Sequence, residues 1–308
     1  MKILVTGGCG FIGSHIIDLL VQQGFETAAA DDLSAGSPHY LAAHKGKVVF
    51  YHCSILCEEF ERAMSHFRPD VVIHLAAQVS VSHSVHDPIH DANVNIMGSL
   101  KLIELAKKYQ VKKIVFSSSA AVYGHPQFLP VTTVHPLNPM SPYGISKMVF
   151  ENYLFAAKTL YNIDYHVLRF GNVYGPRQNS HGEGGVISIF INTLLQDKSP
   201  TIYGDGTYTR DFVYVADVAM ANVLAALSPE SGTANICSSV GTSISELLGK
   251  LQRLMKKQIQ PLYEKPRNGD IPHSVLCNKE AKVALNWEPT VSLDEGLLQT
   301  IAFYQTRT

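Results

Sequence analysis

The sequence predicts an α/β protein, a doubly wound parallel sheet with a smaller α/β lobe attached. Three observations carry this reading. Apolar strand patterns alternate with helical patterns through the first half of the chain. A glycine-rich turn, Thr6-Gly7-Gly8-Cys9-Gly10-Phe11-Ile12-Gly13, joins the first of those strands to the first helix. Past about residue 172 the alternation breaks, and proline and glycine rise.

Taken in order, strands are expected at 2–6, 27–31, 48–51, 71–75, 113–117 and 164–169, and helices at 11–23, 57–67, 92–109 and 143–161. Wholly apolar strands such as Val71-Val72-Ile73 suit a sheet covered on both faces. Ile12, Ile16, Leu19 and Leu20 fall on one side of the first helix. The glycine turn therefore lies between a strand and a helix, the setting of a dinucleotide site. Gly7 permits the tight turn, Gly10 lets the backbone approach a pyrophosphate, and Gly13 lets helix and strand pack closely. The helix N-terminus offers free N–H groups and partial positive charge to the phosphates. This makes the sheet Rossmann-type. The second strand ends at Asp31-Asp32, with no Arg nearby. A carboxylate there accepts bonds from ribose hydroxyls and repels a 2′-phosphate, so NAD is favoured over NADP.

A second constellation lies downstream. Ser117-Ser118-Ser119 closes a strand, and hydroxyls at the C-terminal end of a parallel strand face the ligand crevice. Tyr143 and Lys147 stand at i and i+4 on a predicted helix, so they share a face. A free tyrosine, with pKa near 10, is a poor base at neutral pH. A nearby ammonium and a positive nicotinamide ring are expected to favour its phenolate. Tyr143 then removes a proton from an alcohol, Ser119 bonds the same oxygen, and Lys147 also holds the nicotinamide ribose. The two constellations together imply hydride transfer between a nicotinamide and a sugar-like carbinol.

Composition excludes other classes. A formal net charge of −1 over 308 residues argues against nucleic acid as the main partner. No apolar run is long enough to span a bilayer, and a strand beginning at residue 2 leaves no room for a signal peptide. The five scattered cysteines read as free thiols in a reducing cytoplasm. Cys53 and Cys57 lack partners at ligand spacing, so no metal site is expected.

These motifs resemble the extended short-chain dehydrogenase/reductases of the NAD-dependent epimerase/dehydratase family, and within it most closely the UDP-glucose 4-epimerases. The resemblance covers nearly the whole chain. It adds His74-Leu75-Ala76-Ala77-Gln78, Asn93-Val94-Asn95 and Ser141-Pro142-Tyr143. It continues through Leu168 to Arg177, Arg210-Asp211-Phe212-Val213 and Arg267-Asn268-Gly269-Asp270-Ile271. It implies a catalytic trio of Ser119, Tyr143 and Lys147. It implies NAD along Gly7, Gly10, Phe11, Ile12, Gly13, Asp31, Asp32, Ser54, Ile55, Leu75, Ala76, Ala77, Gln78, Asn95, Ser117, Tyr143, Lys147 and Phe170. The UDP-sugar is implied near Ser119, Tyr143, Asn172, Val186, Tyr203, Arg210 and Arg267, with the two arginines suited to a pyrophosphate. Residues 1–172 are then the NAD-binding domain, and 173–308 mainly a substrate-binding lobe, with parts of 206–240 returning to the first domain. A homodimer through the 92–109 and 143–161 helices is also implied.

The implied reaction is 4-epimerisation of a UDP-hexose through a transient 4-keto sugar: oxidation, rotation and reduction from the opposite face. The alternatives are a 4-ketoreductase, a UDP-uronate epimerase or decarboxylase, and a nucleotide-sensing protein without turnover. The intact trio speaks against the last. A 4,6-dehydratase is disfavoured because Ala120-Ala121 follows Ser119 where that branch has Asp-Glu. Other departures concern fit. Cys53-Ser54-Ile55 stands for Gly-Asp-Ile, which removes a carboxylate from the adenine end. Gly171 replaces a Phe and Ser274 a larger gate residue; both are expected to widen the sugar pocket enough for an N-acetyl group.

Overall fold

The computed structural model describes residues 1–179, 185–266 and 270–306. Seven strands form the central sheet: β1 (Lys2–Thr6), β2 (Glu26–Asp31), β3 (Val48–His52), β4 (Val71–His74), β5 (Lys113–Ser119), β6 (Asp164–Phe170) and, much later in the chain, β10 (Gly232–Ile236). Their order is β10-β6-β5-β4-β1-β2-β3, and every pairing is parallel. The chain thus winds outward from β1 in both directions, the doubly wound arrangement expected.

The alternation of strand side chains decides the two cores. Ile3, Val5, Ile73, Val115 and Leu168 enter one apolar cluster. Their neighbours Leu4, Val72, Ile114, Phe116 and Val167 enter the other. Helices α1 (Phe11–Gln22) and α8 (Val215–Leu227) cover the first face and pack on each other. Helices α2 (Glu58–Phe67), α5 (Ser99–Lys108) and α6 (Pro142–Tyr161) cover the second. Each Ile or Leu buried this way contributes about 1.5–3 kcal/mol.

One helical prediction needs revision, and one helix was not foreseen. A separate short helix, α3 (Val81–His86), precedes the region read as a helix over 92–109. That region is itself three segments: α4 (Pro88–Ala92), a π-helical turn over Asn93–Gly98, and α5. Asp87 caps α4 and Pro88 opens it, so the helix starts earlier than the apolar pattern indicated. The π turn inserts a wider loop, a device found mostly at functional sites. Helix α6 is conventional. Ser141 accepts the N–H of Gly144 at 3.1 Å, Pro142 takes the first position, and Asn162 ends it in the left-handed region at φ 56°.

The remaining elements are β7 (Asn172–Tyr174), α7 (Val186–Leu195), β8 (Thr201–Tyr203), β9 (Thr209–Tyr214), β11 (Gly241–Ser243), α9 (Ile244–Met255), β12 (Leu262–Glu264), α10 (Lys279–Leu285) and α11 (Leu293–Gln305). They form two small sheets, β11-β9-β7 and β12-β8, with their own apolar cluster around Phe190, Tyr174 and Leu251. The chain does not stay there. Between β9 and β11 it crosses back as α8 and β10, pairing Ala234 with Leu168 in the main sheet.

Candidate functional site

The strands that meet the glycine turn end together at one edge of the sheet. Gly7 takes φ +69°, and a Cβ on it would lie 2.9 Å from the N of Ala76. A Cβ on Gly13 would lie 2.1 Å from the Gly7 carbonyl oxygen, and one on Gly10 would lie 3.1 Å from it. Side chains at 7 and 13 are therefore excluded by backbone. No side chain caps α1, so its first N–H groups remain available to an anion. Phe11 and Ile12, partly buried, pack their side chains against the apolar clusters. These features fit the pyrophosphate of a dinucleotide.

Asp31 is buried, and its carboxylate already accepts the N–H of Cys9 at 2.9 Å and of Leu33 at 2.8 Å. It therefore ties the glycine turn to the loop after β2. Burial raises its pKa against the lowering by these two bonds. Asp32 lies at the surface and accepts the amide and hydroxyl of Ser34. Ser54 turns its hydroxyl to the Leu56 amide at 3.3 Å, and Ile55 is buried against Gly98.

The segment after β4 is fixed by a chain of hydrogen bonds with one direction. The Ala76 N–H donates to Thr6 Oγ1 at 3.2 Å, and Thr6 Oγ1 meets His74 Nδ1 at 2.7 Å. His74 Nε2 meets Ser99 Oγ at 2.9 Å, and Ser99 donates to the Asn95 carbonyl at 2.7 Å. Ser99 gives its own proton to the Asn95 carbonyl, so His74 Nε2 donates to Ser99, and in the neutral ring Nδ1 accepts the Thr6 hydroxyl. Burial agrees, lowering its pKa to about 3. His74 is a neutral strut. Leu75 joins β1 through Thr6, and Ala77 leads into Gln78. The Gln78 N–H donates to Asn95 Oδ1 at 2.8 Å, and Asn95 Nδ2 returns to the Gln78 carbonyl at 2.9 Å.

Ser119, Tyr143 and Lys147 converge at the ends of β5 and α6. The Ser119 hydroxyl hydrogen-bonds the Tyr143 phenol. Lys147 is 4% exposed; its Nζ donates to the Ser117 carbonyl at 3.0 Å and stands 5.6 Å from the Tyr143 ring centroid. Two serines that the sequence did not mark hold Tyr143. Ser84 accepts its N–H at 3.1 Å, and Ser146 donates to its carbonyl at 2.9 Å.

One electrostatic expectation is corrected here. The ammonium of Lys147 does not bring the Tyr143 phenol down. Burial pushes it up to about 12, with only the Ser119 bond pulling it back. The same burial draws Lys147 down to about 8. Desolvation disfavours both charged forms and is the largest influence on each.

The sugar side is less complete. Phe170 is buried in the main core at the end of β6. Asn172 is exposed at the start of β7, Val186 opens α7, and Tyr203 ends β8 at the surface. Arg210 anchors one nitrogen, Nη1, on the carbonyls of Thr209 at 2.9 Å and Ile271 at 2.7 Å. Arg267 lies outside the described residues. Asp211, beside Arg210, is a buried clamp that accepts N–H groups of Ser238, Ser239 and Leu276. Gly171 does not open the pocket. A Cβ there would sit 2.9 Å from the Asp211 carbonyl oxygen, so this face is filled by the β9 backbone.

Fold and site together define a dinucleotide-binding α/β protein with a Ser–Tyr–Lys set at the end of its sheet. The chain belongs to the NAD dependent epimerase/dehydratase family, whose model matches residues 3–241. It is 42% identical over 300 residues to a putative UDP-glucose 4-epimerase of Methanocaldococcus jannaschii, covering 97% of each chain. The solved UDP-glucose 4-epimerase of Thermotoga maritima with UDP-glucose superposes at TM-score 0.96, with 43% identity over 100% of this chain and 99% of that one. A UDP-N-acetylglucosamine 4-epimerase of Methanobrevibacter ruminantium, in complex with UDP-N-acetylmuramic acid, superposes at 0.95 with 34% identity, over 100% of this chain and 99% of that one.

Proposed function

We propose that this protein is an NAD-dependent epimerase that inverts C4 of a UDP-hexose, with UDP-glucose and UDP-galactose as the pair. The observation that carries the reading is the grouping of Ser119, Tyr143 and Lys147 at the same edge of the sheet as the glycine turn. Full-length likeness to epimerases of that specificity supports it. When bound, NAD accepts the C4 hydride and returns it. Gly7, Gly10 and Gly13 admit its pyrophosphate at the start of α1, Asp31 faces its adenosine ribose, and Gln78, Asn95, Ser117 and Lys147 line the far end. Tyr143 takes the proton of the 4-hydroxyl and gives it back. Ser119 holds the same oxygen, since its hydroxyl lies close enough to the phenol to lower its pKa. Arg210 and Arg267 grip the diphosphate, so the sugar alone is free to turn between the two hydride steps. Firm hold on the nucleotide and loose hold on the sugar is what inversion at one carbon requires.

Residues 1–172 hold the cofactor in this reading, and 173–308 mainly the nucleotide sugar, with α8 and β10 serving the first domain. A cytoplasmic homodimer completes it. Met97, Ile145, Tyr153 and Leu160 are exposed apolar side chains on the segments expected to meet a second copy. The described residues contain no helix long and apolar enough to cross a membrane. The deciding experiment is incubation with NAD and UDP-glucose, followed by proton NMR. Appearance of UDP-galactose without net cofactor reduction is expected. A fully folded, NAD-loaded protein that makes none would remove the reading.

A further inference from the structure

Beneath the Tyr143–Lys147 couple lies a carboxylate with no role assigned so far. Asp91, at the end of α4, is 1% exposed. Its Oδ1 accepts from Gln78 Nε2 at 2.9 Å and from Asn95 Nδ2 at 3.0 Å. These partners are neutral amides, not cations. Asn95 Nδ2 also reaches Ser146 Oγ at 3.2 Å, and Ser146 holds the Tyr143 carbonyl. One buried charge is thus linked through Asn95 and Ser146 to the turn of α6 that carries Tyr143, and α4 packs on α6 directly.

The groups around Lys147 single Asp91 out. From its own helix come Tyr143 and Glu151, from α4 comes Asp91, from β4 comes neutral His74, and from β5 come the Phe116 ring and the Ser117 carbonyl. The charge of Glu151 is matched by Arg169, which grips both its oxygens. Asp91 has no such match. A buried anion satisfied only by amides is costly unless something nearby needs its charge.

We propose that Asp91 is a positioning residue of the active site: it holds Gln78 and Asn95 in place and supplies the negative charge that keeps the buried Lys147 an ammonium. The inference rests on the reading of Tyr143 and Lys147 as the reacting couple. Its electrostatic signature is specific. Asp91 opposes the burial that lowers Lys147, and it adds to the burial that raises Tyr143. Removing its charge therefore lowers both groups. A residue that merely held the fold would lower activity without moving the profile.

The test is Asp91→Asn, which keeps the shape and an accepting oxygen. In protein labelled with 13C at lysine, the Lys147 signal, assigned by its loss in Lys147→Met, titrates near neutrality. Its midpoint in Asp91→Asn should fall by about half a pH unit or more. Both limbs of the kcat profile for epimerisation should move the same way, toward acid. A folded variant with an unmoved Lys147 midpoint overturns the proposal. The NMR arm needs no turnover, so an inactive wild type would sink the proposed reaction while leaving Asp91 testable. If Asp91→Asn fails to fold, Asp91→Ser is measured instead; failure of both to fold assigns Asp91 to stability and overturns the proposal.

Discussion

Helix α6 carries two buried polar clusters one turn apart, and they are built on opposite rules. Around Glu151 every demand is met. Its Oε1 accepts from Ser118 and from Arg169 Nε at 3.0 Å, and its Oε2 accepts from Arg169 Nη2 at 2.6 Å. Arg169 spends Nη1 on Tyr123 and the Thr133 carbonyl, and Tyr123 donates to Asn235 at 2.6 Å. Around Lys147 demands are left open. One of three ammonium donors goes to the Ser117 carbonyl, and the Tyr143 phenol has Ser119 as its hydrogen-bond partner. Burial shifts both groups toward neutrality. The difference separates a cluster that holds the sheet from one that can change its protonation state. Saturation fixes a structure, whereas spare capacity is what a substrate can use.

The largest effect should fall on the unsaturated cluster. Tyr143→Phe is expected to lower kcat by about 10²–10⁴-fold. It should cost stability little, because the phenol loses one hydrogen bond, worth roughly 0.5–1.5 kcal/mol. Steady-state kinetics and urea denaturation together check this. Activity within a few-fold of wild type would place the proton transfer elsewhere. The saturated cluster should answer in reverse. Arg169→Met leaves the buried Glu151 without its cation, with only Ser118 donating to it, and is expected to cost about 3–5 kcal/mol of stability. If that variant denatures at the wild-type midpoint, the contrast between the two clusters is wrong.

The sequence displays these clusters unequally, and the reason is distance along the chain. The glycine turn was legible because its chemistry is local: Gly7, Gly10 and Gly13 are needed by backbone within seven residues. Tyr143 and Lys147 were legible because one helix face brings them together. Glu151 sits four residues further on that same face, yet its partner Arg169 comes from β6 and Tyr123 from the loop after β5. Nothing in composition or spacing joins them. Asp91 was invisible for a similar reason. Its meaning depends on a π turn that interrupts a pattern read as one helix. Gly171 shows the converse error. A small residue looked like an open pocket, but the Asp211 backbone occupies the space.

His166 tests whether want of a partner alone marks function. It is buried on β6, away from the site, and neither ring nitrogen has a hydrogen-bond partner. Burial lowers its pKa to about 4, below the 6.5 of an exposed histidine. Between those values the unfolded chain binds the extra proton, so stability rises with pH there. The stability is complete above about pH 6.5 and is lost as pH falls toward 4, at up to about 1.4 kcal/mol per pH unit. His166→Leu should remove this slope while leaving activity at neutral pH unchanged. Urea unfolding at several pH values reads it directly. An unchanged slope would mean the ring is already satisfied. A collapse of neutral-pH activity would give it a catalytic part after all.

The smallest effect concerns space instead of hydrogen bonds. Two small residues were expected to leave room beside the sugar; backbone fills the space at Gly171, so the expectation now rests on Ser274 alone. It is half-buried, with its N–H donating to the Thr209 carbonyl at 3.2 Å. The segment holding it includes the Ile271 carbonyl that anchors Arg210, the arginine proposed to hold the diphosphate. An N-acetyl group on C2 fits there only if the small side chain is the limit. Wild-type protein is therefore expected to epimerise UDP-N-acetylglucosamine as well as UDP-glucose. Ser274→Tyr should lower kcat/KM for the acetylated sugar more than for the plain one. The preference should shift by about 1–3 kcal/mol, the cost of overfilling a fitted site. Measuring kcat/KM for both sugars in both proteins decides it. A ratio that stays fixed would mean that neither small residue sets the width of the pocket, and that sugar choice is made by the groups facing C2 from another side.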